Sequence, residues 1–455
     1  MKDSTKFILL VKRKKTEFVV LFYILAVLIT GLSLQSFDEL IRGMINIFKI
    51  PGNLITDYMV IAGIGPAFVN AALVALIGYI LLIINKVPFT GRAIAAIFTM
   101  MGFALMGKNV WSILPIIAGV YIYGQLTRHK FGDIIYFALF GTALAPLVTQ
   151  SAFVFGWGII GGIIIGILAG MIMAPVGAHV LAFHEGYNLY NVGLAAGFIG
   201  LVFFNILRTY GYDCVTTAIW GTEFDREIKL FSIIFFASMI LMGILIDKNG
   251  IKNYHKILKE PGTLVTDFVN ISGLGTTLIN MGLVGFVGVA YIALIGGNFN
   301  GPTLCGLMTM MGFGSFGKHP FNIIPIMVGV WLATFFSIYE HNSPGPLLAG
   351  LFGTTLAPLS GRFGPLVGIL AGYAHLSIVS FIGVVHGGLN LYNNGLAAGF
   401  VAAFFIAIVK GTKKDTSQMK AEYKEVKSKY RTVLTKYKIV KDKSKAIKAN
   451  QVGDN

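Results

Sequence analysis

Charge is scarce in this chain. Asp, Glu, Lys and Arg together make up 12% of its 455 residues, roughly half the share usual in soluble domains, and that excludes a water-soluble globule wrapped in a charged shell. Cysteine is nearly absent. Cys214 and Cys305 stand alone with no CxxC spacing, so neither a thiolate metal set nor a disulfide framework is encoded. No GxSxG elbow, HExxH helix or P-loop occurs, which removes common hydrolase and nucleotide-binding classes. Alternation of apolar and polar residues is missing from stretches such as 153–173, which excludes a membrane β-barrel.

What remains is apolar. Hydrophobic residues make up 55% of the chain, and many uncharged stretches run for 15 residues or more, the length scale of a bilayer span. The fold class expected is an all-α polytopic membrane protein. The net charge of +16 gathers at the ends: residues 1–16 hold six Lys/Arg against one Asp, and residues 410–455 hold fourteen against five acids. Tails of this kind are no nucleic-acid footprint, which needs a basic face on a folded domain. The positive-inside rule puts both termini in the cytoplasm of a cell membrane, with an even number of crossings. The first apolar run, Phe18–Leu34, has no small-residue cleavage site and reads as a retained span. In the C-terminal tail Met419, Tyr423, Val426, Tyr430, Val433, Tyr437 and Val440 fall on one heptad stripe. On a lysine-rich helix that stripe suits anionic lipid headgroups as partner, with homo-oligomerisation as the second reading.

The chain is written twice. PGNLITDYMVIAGIG at 51–65 returns as PGTLVTDFVNISGLG at 261–275, and TMMGFALMGKN at 99–109 as TMMGFGSFGKH at 309–319. FGTALAPL at 140–147 returns as FGTTLAPL at 352–359, and HEGYNLYNVGLAAGF at 184–198 as HGGLNLYNNGLAAGF at 386–400. The organisation that follows is a basic tail (1–16), repeat 1 (17–210), an external connector (211–227), repeat 2 (228–410) and a basic amphipathic tail (411–455). Each half shows seven apolar segments, and an odd repeat must be inverted relative to its twin. Charge agrees. Lys86 and Arg92 have no basic twins at 297–302, the lysines of 247–260 face a balanced twin at 37–50, and Arg362 faces a neutral one. Inverted repeats place one site near the midplane, built from two copies of the same motif.

The segments at 93–107 and 303–317 each end in Gly-Lys after 15 residues, about 22 Å of helix at 1.5 Å per residue and short of a ~30 Å hydrocarbon core. They read as half-helices or re-entrant arms. The segments at 134–149 and 345–360 are broken by Gly141-Thr142 with Pro146 and Gly353-Thr354 with Pro358. Broken backbone at membrane depth lines a cavity or is buried in protein. The substrate-pathway candidates are therefore Lys108, Lys318, Thr142 and Thr354, joined by His184, Asn188, Tyr190 and Asn191 and their twins His386, Asn390, Tyr392 and Asn393. The lysines either attract an anion or snorkel from a helix C-terminus. The asparagines and histidines either line a path for a small polar solute or tie broken helices together. Asp57 and Asp267 are either helix caps or ion-coupling carboxylates. Glu185, whose twin is Gly387, is either a third coupling carboxylate or a surface group.

The expected function is a transporter or channel moving a small polar or anionic solute between the two repeats, with no enzyme activity, cofactor, metal or nucleic acid. Two rival classes stay open: an intramembrane enzyme, and a structural or sensory protein acting through its basic tail. The paired TMMGFxxxGK and NLYNxGLAAGF motifs resemble a prokaryotic family of multi-spanning proteins known as domain of unknown function 1576. That resemblance covers 17–410 and implies no substrate. More remotely, the two inverted halves and the Gly186-Tyr187-Asn188 stretch resemble urea transporters, which implies short tilted helices around a central pore. The second half has Gly388-Leu389-Asn390 at the same place.

Overall fold

The computed structural model describes residues 2–216 and 218–413, with side chains for 14–216 and 218–411. All regular structure among these is helical. Two isolated bridges, Thr56 with Ile219 and Asp57 with Met106, build no strand. Among the described residues ten helical segments are long and apolar enough to cross a membrane, and the chain is a multi-pass membrane protein. The lipid-binding stripe expected at 419–440 lies outside the described residues.

Repeat 1 runs through α1 (Lys2–Leu34), α2 (Phe37–Lys49), α3 (Tyr58–Ala62), α4 (Ile64–Ile84), α5 (Gly91–Phe103), α6 (Val110–Thr127), α7 (Phe131–Gly141), α8 (Ala145–Phe153), α9 (Gly158–His179), α10 (Leu181–His184) and α11 (Asn191–Thr209). Repeat 2 runs through α12 (Asp225–Ile246), α13 (Gly250–Leu258), α14 (Phe268–Leu294), α15 (Gly301–Gly312), α16 (Pro320–Thr334), α17 (Pro344–Phe352), α18 (Ala357–Phe363), α19 (Pro365–Ile382) and α20 (Asn393–Lys413). Residues up to Ala403 form one compact unit, which holds both repeats' cores. The rest of α20 starts a second unit, where Phe404 and Phe405 meet edge to face.

Each repeat is built the same way. Its first span packs on its second (α1 on α4, α12 on α14), and the helix after its half-helix packs on the long Gly-containing span (α6 on α9, α16 on α19). Gly63 and Gly273, both at positive φ, kink the second span at matching places. The charged stretches 37–50 and 247–260 are not loops. They form α2 and α13, short helices burying Leu40, Gly43 and Ile47, and Gly250 and Ile257. Their apolar residues occupy one stripe and their charges the other, so a net-charge count reads them as linkers. The two Gly/Pro-broken segments each become a helix pair, α7–α8 and α17–α18, joined by one tight 3₁₀ turn at Thr142–Leu144 and Gly353–Leu356.

The half-helices α5 and α15 pack side by side and run antiparallel. A Cβ on Gly102 would come within 2.9 Å of the Cys305 carbonyl oxygen, and one on Gly312 within 2.9 Å of the Phe98 Cβ. The end of each helix thus meets the beginning of its twin. A two-fold axis relating them lies across the helices rather than along them, which is the inverted arrangement. The basic loops confirm it by position. At the end where α5 begins and α15 finishes stand Arg92, the 128–132 turn against Asn85 and Val87, the end of the 247–260 lysine stretch (its Glu260 carbonyl bonded to His319), and Arg362, whose neighbour Gly361 abuts Pro261. The connector lies at the opposite end, where Asn300 Nδ2 donates to the Gly221 carbonyl at 2.8 Å.

Candidate functional site at the axis between the repeats

Lys108 and Lys318 are fully buried. Each follows a half-helix and a left-handed glycine, Gly107 or Gly317. An asparagine from the second span pins each turn. Asn70 Nδ2 donates to the carbonyls of Ala104 and Lys108 at 2.7 and 3.1 Å, and Asn280 Nδ2 to those of Gly314 and Lys318 at 2.6 and 2.8 Å. Both lysine side chains are enclosed in protein, not laid along an exposed helix end as a snorkelling lysine is.

Each lysine meets a threonine of its own repeat and a tyrosine of the other. Lys318 Nζ donates to Thr354 Oγ1 at 2.7 Å and to the Tyr190 hydroxyl at 2.6 Å. Lys108 Nζ donates to Thr142 Oγ1 at 2.9 Å and lies 5.6 Å from the Tyr392 ring centre. The Tyr392 hydroxyl lies beside Thr142 without reaching hydrogen-bond geometry. Phe103 and Phe313 present their rings to the two amines at 5.8 and 5.4 Å. Among the described residues the one side-chain ion pair recorded is exposed, Arg208 with Asp213, so neither lysine has a carboxylate partner there.

The broken spans are repaired crosswise. The 3₁₀ turns leave carbonyls without helical donors. Leu391 N donates to the Ala143 carbonyl and Leu189 N to that of Thr355, both across repeats. Asn188 Nδ2 donates to Gly395 at 2.9 Å and Asn390 Nδ2 to Gly193 at 3.4 Å, while Asn188 Oδ1 accepts from Thr355 Oγ1 at 2.7 Å. Gly193 and Gly395 themselves touch, and a Cβ on Gly395 would come within 2.9 Å of the Gly193 Cα. His184 Nε2 pairs with Asn191 Oδ1 and His386 Nε2 with Asn393 Oδ1, both at 2.9 Å. The structure thus brings the two motifs together, as expected, but spends the Asn and His groups on joining helices. Of the eight motif candidates, Tyr190, Asn191 and Tyr392 line the larger cavity and Asn393 a smaller one.

The carboxylates are helix caps. Asp57 Oδ1 accepts from Met59 N at 2.9 Å, and its Oδ2 from Gly221 N and from Gly301 N, the first residue of α15. Asp267 Oδ1 accepts from Asn270 N at 3.1 Å, and its Oδ2 from Gly91 N, the first residue of α5, at 2.9 Å. Each repeat caps the other's half-helix, where a negative group is favoured. Glu185 is exposed at a left-handed C-cap, φ 49°, and its twin Gly387 has φ 55°. That position calls for left-handed backbone, so the loss of symmetry there follows backbone shape. Glu185 is no buried coupling group.

Two cavities approach the axis. The larger, about 340 Å³, lies at the Arg92 end and takes in Leu264, Val265, Phe316, Tyr190 and Asn191. The smaller, about 160 Å³, lies at the end where α5 finishes and takes in Leu54, Ile55, Met106 and Asn393. Leu54, Ile55, Met106 and Asn393 are the repeat twins of Leu264, Val265, Phe316 and Asn191. Both cavities touch Phe352, Leu391 and Asn394, so a thin shared wall divides them. Beside the smaller one the connector is clamped down: Ile219 N donates to Ile55, Asp57 N to Ile219, and Gln150 Nε2 and Asn53 Nδ2 both to the Val215 carbonyl. No sequence pattern announces this clamp, because the connector has no twin against which to compare it.

Buried amines without carboxylate partners, at an axis between inverted helical repeats and flanked by two matching cavities, define a class of multi-pass membrane protein organised around an internal polar site. The chain belongs to the family described as protein of unknown function (DUF1576), whose pattern matches residues 36–209 and 246–411, one block in each repeat. No curated protein and no solved structure matches the chain, so the resemblance to urea transporters has no support beyond the shared description of two inverted halves.

Proposed function

We propose that this protein conducts or transports a small anion or polar solute along the axis between its repeats. One observation carries the reading: two repeat-related cavities approach from opposite ends and share a wall, and behind the tyrosine and phenylalanine rings that line the larger one stand two fully buried lysines, one at each half-helix end. A buried amine is costly to charge without a partner, and an anion beside it favours its ammonium form. The lysines therefore give an anion its attraction, and the hydroxyls of Thr142, Thr354 and Tyr190 hold the amines in place. The unequal cavities fit an alternating or gated path, open at the Arg92 end and narrowed under the connector. The positive-inside rule makes the Arg92 end cytoplasmic and the connector external.

An enzyme reading asks for an acid or base poised on a substrate. Here Asp57 and Asp267 are caps and the histidines of the repeated motif pair with asparagines, so the solute path is the better supported. The test is uptake by proteoliposomes of a panel of small solutes (urea, formate, nitrite, short carboxylates) with and without a proton gradient. Lys108→Met and Lys318→Met, each about isosteric with the lysine stem, are expected to lower anion uptake at least tenfold while leaving monodisperse protein. Wild-type uptake in the double variant, or a panel in which nothing moves, would defeat the reading.

A further inference from the structure

The antiparallel register that sets Gly102 at Cys305 and Gly312 at Phe98 also sets Thr99 level with Thr309. Both threonines line the larger cavity, at 2% and 1% exposure. Neither hydroxyl has a hydrogen-bond partner, although threonine inside a helix ordinarily turns its hydroxyl back to a carbonyl one turn earlier. Thr309 stands beside the Cys305 thiol, a weak partner at best. The Tyr392 hydroxyl, also on this cavity, is likewise without a partner. Three buried hydroxyls left open at one place are expensive unless something fills them.

Their surroundings narrow what that is. The charged pair at the cavity mouth is committed elsewhere: Asp267 caps two backbone amides, and the Arg92 guanidinium lies 4.2 Å from the Tyr136 ring centre. Deeper in, the nearest ionisable cations are the two lysines behind Phe103, Phe313 and the tyrosines. The walls between are aromatic. Phe103 and Phe352 lie 5.2 Å apart and Phe140 and Phe313 6.0 Å apart, centre to centre, all four on the cavity. Such walls penalise a doubly charged, strongly hydrated anion and welcome a short hydrocarbon stub. About 340 Å³ is near the lower bound of ordinary ligand sites.

We infer that the hydroxyls of Thr99, Thr309 and Tyr392 bind the carboxylate of a small monocarboxylate, whose short alkyl end lies against the phenylalanines. The inference rests on the proposed solute path and names its substrate class. A carboxylate has two oxygens to accept from the three hydroxyls, whereas a neutral amide has one accepting oxygen and must turn its N–H groups toward the others; the lysines behind the aromatic wall favour the charged ligand once it brings their ammonium form a partner.

Binding is read independently of transport, as thermal stabilisation of the purified full-length protein by acetate, propionate or butyrate against sulfate and propionamide. The expected result is stabilisation by the monocarboxylates alone, with apparent affinity weakened about tenfold or more in the Thr99→Val, Thr309→Val double variant and less in Tyr392→Phe. Val keeps threonine's shape and Phe keeps tyrosine's ring, and each removes a hydroxyl without a partner, so both variants should melt at or above the wild-type temperature without ligand. Equal stabilisation by sulfate or propionamide, no stabilisation by any monocarboxylate, or wild-type affinity in the valine variant would overturn the assignment. Monocarboxylate binding without flux would leave the site standing and remove the transport reading. Flux of other solutes without monocarboxylate binding would do the reverse.

Discussion

Asn188 shows how residue type can mark a position and leave its role open between lining a path and tying broken helices together. Its place in a repeated polar motif marked it as important, and it is fully buried. Its amide, however, reaches Gly395 in the other repeat and its oxygen takes the Thr355 hydroxyl. Asn188→Leu should therefore act on folding, removing the amide's bond to the Gly395 carbonyl and the acceptor of the Thr355 hydroxyl proton, at a total cost of about 1–3 kcal/mol. The measurement is the melting temperature in detergent alongside solute uptake per folded molecule: the first should fall and the second should stay near wild type. A normal melting temperature with lost uptake would return Asn188 to the path. Lys108 and Lys318 are the opposite case. Their residue type and position were legible, but their depth was not, because the asparagines that pin them lie 38 residues earlier in the chain. Thr99 and Thr309 were missed altogether. They sit inside TMMGF, quoted for its repetition, and only the antiparallel contact of α5 with α15 gives them a shared location.

At the scale of elements, what could be read was what local sequence controls: the apolar spans and the breaks at Thr142 and Thr354. The amphipathic α2 and α13 are not legible in charge alone, because what makes them helices is an apolar stripe at 3- and 4-residue spacing that net charge does not see. The α5–α15 contact has its own test. Small residues let membrane helices approach closely, and a Cβ at Gly102 or Gly312 meets backbone or a packed Cβ at about 2.9 Å. Gly102→Ala or Gly312→Ala is expected to destabilise by about 1–3 kcal/mol through overpacking, each to a similar degree because the two are twins. Chemical or thermal unfolding in detergent would show it. Indifference at both positions would mean that the two half-helices do not touch as described.

The whole molecule is two copies of one chain motif turned to face opposite ends, and its orientation is open to a direct check. In a protein lacking Cys214 and Cys305, a cysteine placed at the exposed Thr216 should be labelled by an impermeant maleimide from outside intact cells. Labelling from the cytoplasmic side only would reverse the orientation. Cys214 itself is a poor natural probe, since burial pushes its thiol up to about 12 and the thiolate is the reactive form. That the halves were inverted could be inferred from loop charges alone, since those charges obey a rule about which side of the membrane they face. That the connector clamps one end could not, since it depends on Gly221, Val215 and Ile219 finding partners far away. The crosswise repairs have a consequence in time. When repeat 1 has left the ribosome, the Ala143 carbonyl, the amide of Gly91 and the side chain of Asn188 still lack the residues that answer them, Leu391, Asp267 and Gly395. At about 5–20 residues per second, synthesis of the roughly 200 residues in between takes about 10–40 s. For that interval the first half sits in the bilayer with open polar groups, and it is the insertion machinery or trapped water that must shelter them until the second half arrives.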